Sequence, residues 1–213
     1  MAHTNLPELF HSACRRGGDR VALRYKRDNR WEGVTWRQWE DLAGAMQDYT
    51  EAARIDPRAV PAYEGRAALH LAQGDSKSAL ADCDRAIECR PGKGWAYLLR
   101  AEARGDLGDF DGAIEDYTRS ILLGHDVAAA HNNRGVARMR RGDLAGAIAD
   151  YTEAIRLGGP NPDALASRGA VRERTGDRNG AVADLEEALR IAPAGWAHRS
   201  QIEALLGRLR PAR

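Results

Sequence analysis

Residues Gly142–Leu157 read GDLAGAIADYTEAIRL, and this stretch sets the organisation of the chain. A close copy, EDLAGAMQDYTEAARI, occupies Glu40–Ile55. Weaker copies lie at Gly74–Cys89 and Gly108–Leu123, between these two, and at Gly176–Ile191, after them, so that all the copies begin at equal intervals. Because no insertion or deletion interrupts the series, the sequence predicts an array of 34-residue repeats.

The apolar residues within each copy predict a helix. In the quoted stretch they are three and four residues apart and form one stripe: Leu144, Ala147, Ile148, Tyr151, Ala154 and Ile155. A first helix is predicted upstream, around Ala130 to Met139, so each repeat is a helix-turn-helix unit. A glycine followed by an aspartate precedes each second helix, at Gly74-Asp75, Gly108-Asp109, Gly142-Asp143 and Gly176-Asp177. Such a pair is typical of a turn that ends one helix and caps the next.

These features resemble the tetratricopeptide repeat (TPR) family over about residues 41–209. The family's small residue late in the first helix is matched by Ala67, Ala101, Gly135 and Gly169, and its helix-crossing alanine by Ala79, Ala113, Ala147 and Ala181. The aromatic expected early in the first helix is Tyr63 and Tyr97, but His131 and Leu165 replace it in the last two units. The resemblance implies an all-α fold, a right-handed α-solenoid of 34-residue helix-turn-helix repeats, with a small N-terminal helix plus β-hairpin segment in front.

The pattern divides the chain into four segments. Residues 1–40 form the N-terminal segment, with a helix at about Leu6–Arg16 and a hairpin made of Val21–Tyr25, a turn at Asp28-Asn29, and Trp31–Thr35. Residues 41–59 are a half repeat that has only the second helix. Residues 60–195 form four complete units, and residues 196–213 are a C-terminal capping helix and tail.

The N-terminal segment carries a second resemblance. Residues from about 5 to 43, LPELFHSACRRGGDRVALRYKRDNRWEGVTWRQWEDLA at their core, resemble the extreme N-terminus of acyl-CoA synthetases of the adenylate-forming family. The phosphate loop, the acidic adenylate contacts and the catalytic lysine of that family have no counterpart in this sequence. We interpret the segment as a fused fragment without adenylating activity, in which the hairpin, with Trp31, Trp36 and Trp39, covers the exposed face of the half repeat.

Composition restricts the classes of function. A formal net charge of +1, with 30% charged residues, gives no overall field to attract nucleic acid or an anionic membrane. No apolar run reaches the roughly 18 residues of a membrane span, and the N-terminus lacks the apolar core of a signal peptide. Three scattered cysteines favour a reducing compartment, so we expect a cytoplasmic protein.

Charged residues recur once per repeat. An arginine in the first helix is followed, at a constant spacing, by an aspartate in the second; the pairs are Arg66 and Asp82, Arg100 and Asp116, Arg134 and Asp150, and Arg168 and Asp184. We predict structural ion pairs between the two helices of a repeat, the alternative being a charged binding ladder. The six histidines lack metal-ligand spacing, and no catalytic motif is present. The sequence therefore predicts no enzyme activity, no metal and no cofactor.

The first helices provide the candidate binding surface, because in TPR proteins they line the concave face. The peptide-binding residues predicted on this basis are Trp95, Leu98, Leu99, Glu102, Asn132, Asn133, Val136, Met139, Arg140 and Ser167. Exposed apolar side chains in this set indicate a partner, although Trp95 has the alternative of packing between neighbouring units. The lysine, asparagine and arginine clamp with which some relatives bind carboxylate tails is not matched.

The leading hypothesis is a non-catalytic protein-protein interaction scaffold that binds a peptide or protein segment in this concave groove. A second hypothesis is an accessory or remnant protein of acyl-activating metabolism, whose N-terminal segment contacts a synthetase. A third is a homo-oligomerising structural module. In each case the partner is a protein rather than a nucleic acid or a membrane.

Overall fold

The computed structural model describes the backbone of residues 21–27 and 30–209 and the side chains of residues 43–209. Strands β1 (Val21–Arg27) and β2 (Arg30–Thr35) pair in antiparallel fashion, and both contact helix α1 (Trp36–Ile55). The predicted helix at about Leu6–Arg16, the turn at Asp28-Asn29 and the tryptophan side chains of this segment lie outside the described residues. The covering role of the hairpin therefore stays a prediction.

Nine further helices follow α1 within the described residues, and they form an all-α repeat array. They are α2 (Val60–Ala72), α3 (Ser76–Cys89), α4 (Gly94–Asp106), α5 (Phe110–Leu122), α6 (Val127–Arg141), α7 (Leu144–Gly158), α8 (Pro162–Arg174), α9 (Arg178–Ile191) and α10 (Arg199–Leu209). The all-α helical repeat fold predicted from the sequence is thus confirmed for this part of the chain.

The curvature of the array follows from which helices touch. The pairs α2 with α3, α4 with α5, α6 with α7 and α8 with α9 each pack tightly, and each pair packs on the next. The first helices α2, α4, α6 and α8 also contact one another in sequence, whereas contacts between successive second helices are sparse or absent in the described structure. The first helices therefore lie on the inner, concave side.

The predicted glycine-aspartate turns are present in all four units. The glycines Gly74, Gly108, Gly142 and Gly176 adopt positive φ angles between 77° and 94°, a region in which residues with a Cβ are strained. The aspartates that follow are N-caps: their carboxylates accept a backbone N–H hydrogen bond three residues later at 2.9–3.1 Å. These turns fix where each second helix begins.

One interface position sets the spacing between neighbouring units. A residue of each second helix packs against a residue at the equivalent position of the next first helix, and the pairs are Tyr49 with Gly65, Cys83 with Leu99, Tyr117 with Asn133, and Tyr151 with Ser167. A large side chain on one side meets a smaller one on the other in most of these pairs, as close packing requires. This arrangement brings Tyr117 of α5 between α4 and α6.

The two glycines of α4 are expected to respond to alanine with opposite signs. A Cβ at Gly94 would lie 2.6 Å from Cβ of His125, which cannot rotate away. A Cβ at Gly105 would meet no atom of the described residues within 4 Å beyond its own stretch of helix. We expect Gly94→Ala to lower the unfolding free energy by about 1 to 3 kcal/mol. Gly105→Ala should raise it by up to about 1 kcal/mol, because alanine favours the helix. Urea unfolding followed by circular dichroism measures both, and an unchanged midpoint in Gly94→Ala would contradict this account of the contact.

Candidate functional site: a groove along the first helices

The four predicted arginine-aspartate pairs connect the first helix of each unit to the second. Each guanidinium donates through Nε and Nη2 to the two oxygens of its aspartate. The shortest nitrogen–oxygen distances are 2.6 Å for Arg66–Asp82 and 2.7 Å for Arg100–Asp116, Arg134–Asp150 and Arg168–Asp184. All four aspartates are buried. Because each pair makes two parallel hydrogen bonds, it favours one orientation of the two helices relative to each other.

Each aspartate also receives a second basic side chain, which the sequence analysis missed. Arg104, Arg138 and Arg172 lie one helical turn after the first arginine and form ion pairs with the same carboxylates at 2.8–2.9 Å. In the first unit His70 takes this place, at 3.8 Å from Asp82. The signal was available, since residues four apart share a helix face, but only one partner per aspartate was considered.

The first arginine of each pair also links its unit to the preceding one. Its Nη1 donates to a polar residue of the previous second helix: Thr50, Asp84, Thr118 or Thr152, at 3.3, 2.6, 2.9 and 3.0 Å respectively. Where that residue is Asp84, the guanidinium of Arg100 bridges two carboxylates. Hydrogen bonding to Asp116, and also to Asp84, raises the pKa of Arg100 above its usual range. The network thus runs between units and fixes the positions of the concave helices.

A groove of about 790 Å³ opens on the concave side of the first three units. Its walls are α2, α4 and α6, and its remaining boundary is the turn and start of α5 together with Tyr117. The lining residues are Ala68, Leu71, Ala72, Trp95, Leu99, Glu102, Gly105, Asp106, Gly108, Phe110, Tyr117, Asn133, Val136, Ala137 and Arg140.

The wall of the groove lacks one side chain at α4. The position equivalent to Gly105 is Leu71 in the preceding repeat and Met139 in the following one, so the neighbouring units carry large apolar side chains at this point. Gly105 carries none, and among the described residues no atom outside its own stretch of helix lies within 4 Å of where its Cβ would be. The repeat pattern itself therefore leaves a gap between α2 and α6.

Six of the ten predicted binding residues line this groove. They are Trp95, Leu99, Glu102, Asn133, Val136 and Arg140. Trp95 packs between neighbouring units, since it contacts two core clusters and the ring of His125, with the ring centroids 5.1 Å apart. It also lines the groove, and its role as a peptide anchor stays a prediction.

Leu98 and Leu99 do not face solvent as predicted; they are only 4% and 3% exposed. Leu98 belongs to a core cluster with Tyr117, and Leu99 to one with Cys83. The expectation was wrong because α4 is covered on both sides by neighbouring helices. Only a narrow strip of the helix remains accessible from the concave side.

Three other predicted residues lie outside the groove lining. Asn132 is next to it and donates to the side-chain oxygen of Asn133 at 3.2 Å. Met139 packs against the core cluster of the third unit, and Ser167 lies beside the hydroxyl of Tyr151. Their binding role stays a prediction.

Polar groups gather at the centre of the groove. The Asn133 amide donates to Glu102 at 3.4 Å, and the Ser76 hydroxyl donates to Asp106 at 3.0 Å. Burial raises the pKa of the Tyr117 hydroxyl well above its usual range, and the negative charges of Glu102 and Asp106 raise it further, while the contact with Asn133 opposes the shift. These four groups, Glu102, Asp106, Tyr117 and Asn133, are named the polar centre.

Asp106, Phe110 and Tyr117 line the groove but were not among the predicted binding residues. The candidates were drawn only from some positions of the first helices, and Phe110 and Tyr117 belong to a second helix. Tyr117 belongs to a second helix and reaches the groove between α4 and α6. Its recurrence with Cys83, Tyr151 and Leu185 at the repeat spacing marked it as an interface position. The signal that Tyr117 extends towards the concave side was the large size of its side chain compared with that of Asn133, against which it packs.

Within the described residues, no group of three or more histidine, cysteine, aspartate or glutamate side chains is arranged to hold a metal ion. None of the helices in residues 36–209 has the length and apolar character needed to cross a membrane.

The buried thiol of Cys83 and the buried phenol of Tyr151 predict that the unfolding free energy falls at alkaline pH. Burial raises the pKa of Cys83 from 9.0 to about 12, and that of Tyr151 from 10.0 to about 12. The folded state therefore holds these protons more tightly than the unfolded chain does, so the unfolding free energy should fall as pH rises from about 9 to about 12. Urea unfolding across this range measures the slope, and Cys83→Ala should reduce it. A slope that Cys83→Ala leaves unchanged would contradict the assignment to this thiol.

Comparison with known proteins agrees with the fold. The tetratricopeptide repeat family profile matches residues 36–93, 98–162 and 139–195, and the chain therefore belongs to the tetratricopeptide repeat family. Members of this family typically mediate protein-protein interactions. The comparisons give no support to the resemblance to acyl-CoA synthetases, and the side chains of the residues that carry it lie, except for Ala43, outside the described part.

Individual relatives cover the chain only in part. It is 32% identical over 76 residues to tetratricopeptide repeat protein 36 of Danio rerio, which is 36% of this chain and 41% of that relative. Among solved structures, MamA superposes with a TM-score of 0.67 at 23% identity, over 72% of this chain and 90% of MamA. YrrB, described as a TPR protein with an unusual peptide-binding site, gives a TM-score of 0.66 at 18% identity, over 81% of this chain and 86% of YrrB. At these identities the structures support the fold alone.

Proposed function

We propose that the protein is a non-catalytic scaffold that binds a peptide segment of a protein partner in the groove formed by α2, α4 and α6. The observation that carries the proposal is the gap at Gly105, the repeat position at which the neighbouring units carry Leu71 and Met139. Because the gap lies on the concave side, a bound segment would contact three units at once.

The lining suits a peptide chemically. Leu71, Trp95 and Val136 supply apolar contact area, and Val136 is 36% exposed although it is a large apolar residue. Asn133 can both donate and accept hydrogen bonds, as a peptide backbone requires. The volume of about 790 Å³ lies in the range of sites that enclose most of a small ligand, which corresponds to a few peptide residues.

The arginine-aspartate network has a structural role in this proposal. It lies between the first and second helices, and its aspartates are buried, so a partner in the groove does not reach them. YrrB adds support by fold likeness, because a protein of the same architecture is described as having a peptide-binding site.

Selection from a display library of random short peptides tests the function without a known partner. A selected peptide should bind the parent chain, and Trp95→Ala should weaken its binding by about 2 kcal/mol or more if the indole is an anchor. The matched control is Glu153→Ala on α7, a second-helix residue, which should bind like the parent. Circular dichroism checks that each variant is folded. Equal affinity in all three proteins would place the binding site elsewhere.

A further inference from the structure

We propose that the segment bound in the groove inserts a methionine or leucine side chain into the gap at Gly105, where it takes the place that Leu71 and Met139 have in the neighbouring units. This inference rests on the proposed function and names the chemistry of the partner. It is carried by the contacts of those two equivalent side chains and by the residues that surround the gap.

In the neighbouring units the equivalent side chain is part of the packed structure. Leu71 packs against a buried cluster that includes Cys83 of α3 and Leu99 of α4. Met139 packs against a cluster made of residues of α7 and α8. In both cases the side chain covers the interface between the second helix of its own unit and the first helix of the next one.

The gap at Gly105 lies against the same interface between the second and third units. Tyr117 and Ala137 occupy the repeat positions of Tyr151 and Val171, which belong to the cluster that Met139 covers. Both belong to the buried cluster of the second unit, and both line the groove. A side chain from a partner would therefore continue an interface that already exists between the units.

Met139 shows which side chain suits these surroundings. Its cluster contains Tyr151, whose hydroxyl lies beside Ser167. The equivalent pair at the gap is Tyr117 and Asn133, again a buried phenol beside a polar side chain. Methionine is flexible, and its thioether makes favourable contacts with aromatic rings, so it fits beside Tyr117 as Met139 fits beside Tyr151.

Further apolar side chains of the groove lining come from three different helices. Leu71 belongs to α2, Phe110 to α5 and Val136 to α6. Val136 is 36% exposed, so it has apolar surface that an inserted side chain can remove from water. Burial of apolar surface is the main favourable contribution to most protein associations.

The carboxylates of the polar centre have hydrogen-bond partners within the chain. Glu102 accepts from Asn133, and Asp106 accepts from Ser76. A polar group that is already hydrogen-bonded costs less to bury than one without a partner. An apolar anchor can therefore occupy the gap without supplying a partner to either carboxylate.

Display selection on two proteins tests this inference. Random short peptides are selected in parallel on the parent chain and on Gly105→Met, which fills the gap with the side chain that the third unit carries. We expect the peptides selected on the parent to share a methionine or leucine at one position. Among peptides retained by Gly105→Met, these residues should occur at the frequency of the unselected library. A shared methionine or leucine in both sets would show that this residue binds elsewhere, and the inference would be wrong.

A peptide selected on the parent then gives a quantitative test. Replacing its anchor by alanine should weaken binding to the parent roughly tenfold or more, while replacing it by norleucine, which is also unbranched and apolar, should change binding little. On Gly105→Leu the alanine form should bind at least as tightly as the original peptide, because the leucine already occupies the gap.

The outcomes separate this inference from the proposed function. If alanine weakens binding equally on the parent and on Gly105→Leu, or if the selected peptides share no apolar residue, the inference is wrong while the proposed function stands. If the parent enriches no peptide relative to Gly105→Leu, both are wrong. Light scattering tests a different occupant: a parent dimer that Gly105→Met dissociates would show that a second copy of the chain fills the gap, which would also overturn the inference.

Discussion

Replacement of Asp150 by alanine is expected to lower the unfolding free energy by about 3 to 5 kcal/mol, the usual effect of removing one partner from a buried ion pair. Asp150 is only 2% exposed and accepts from Arg134 at 2.7 Å and from Arg138 at 2.8 Å. The His131 ring nitrogen Nδ1 lies 2.9 Å from the same carboxylate. Without Asp150, two guanidinium groups remain side by side with no carboxylate between them.

The control for this prediction is Glu153→Ala on the same helix. Glu153 pairs with Arg156 over a single helical turn on the exposed side of α7, and surface pairs of this kind contribute less than about 1 kcal/mol. Arg134→Ala should lower the unfolding free energy by about 1 to 3 kcal/mol, which is between the effects of the other two variants, because Asp150 then keeps its contacts with Arg138 and His131. Urea unfolding of the three variants gives the order. If Asp150→Ala were as stable as Glu153→Ala, the network would not hold the array together.

Filling the groove should abolish peptide binding while the protein stays folded. Gly105→Leu places on α4 the side chain that the preceding unit has at Leu71, and no other part of the described structure lies within 4 Å of the new Cβ. The leucine would occupy space that the bound segment needs, so we expect the affinity for a selected peptide to fall at least about 100-fold, a loss on the scale of a binding hot spot. Fluorescence anisotropy with a labelled peptide measures this change.

Gly105→Ala is the matched control because it adds only a methyl group and strengthens the helix. It should bind the peptide within a few-fold of the parent. Full binding by Gly105→Leu, with helicity unchanged, would exclude the gap as the binding site. Loss of binding in both variants, with an unaltered fold, would instead indicate that the peptide contacts the backbone of α4 directly.

The repeat register made much of the fold predictable. A strict repeat period positions every helix pair, and the glycine-aspartate turns mark where the second helices begin. The arginine-aspartate pairing was visible for the same reason, since one arginine and one aspartate recur in each unit. The second basic residue that contacts each aspartate was harder to predict. It is an arginine in three units, such as Arg104, but a histidine, His70, in the first unit.

The groove was only partly predictable because its shape depends on packing between units. Periodicity assigns Leu98 and Leu99 to the first helix, but burial of both comes from neighbouring helices, which the pattern of one helix does not reveal. The reach of Tyr117 into the groove depends on the smaller Asn133 opposite. Gly105 occupies the repeat position that Leu71 and Met139 hold in the neighbouring units. That it leaves a gap in the groove wall depends on how α4 packs between α2 and α6.

Hydrogen exchange measured by mass spectrometry, with and without a selected peptide, tests the central claim most directly. Binding in the groove should slow amide exchange in α4 and α6, and to a lesser degree in α2, because these helices form its walls. The outer helices α3, α7 and α9 should exchange at the same rate in both states. Slower exchange confined to second helices, with α4 and α6 unchanged, would contradict a concave binding site.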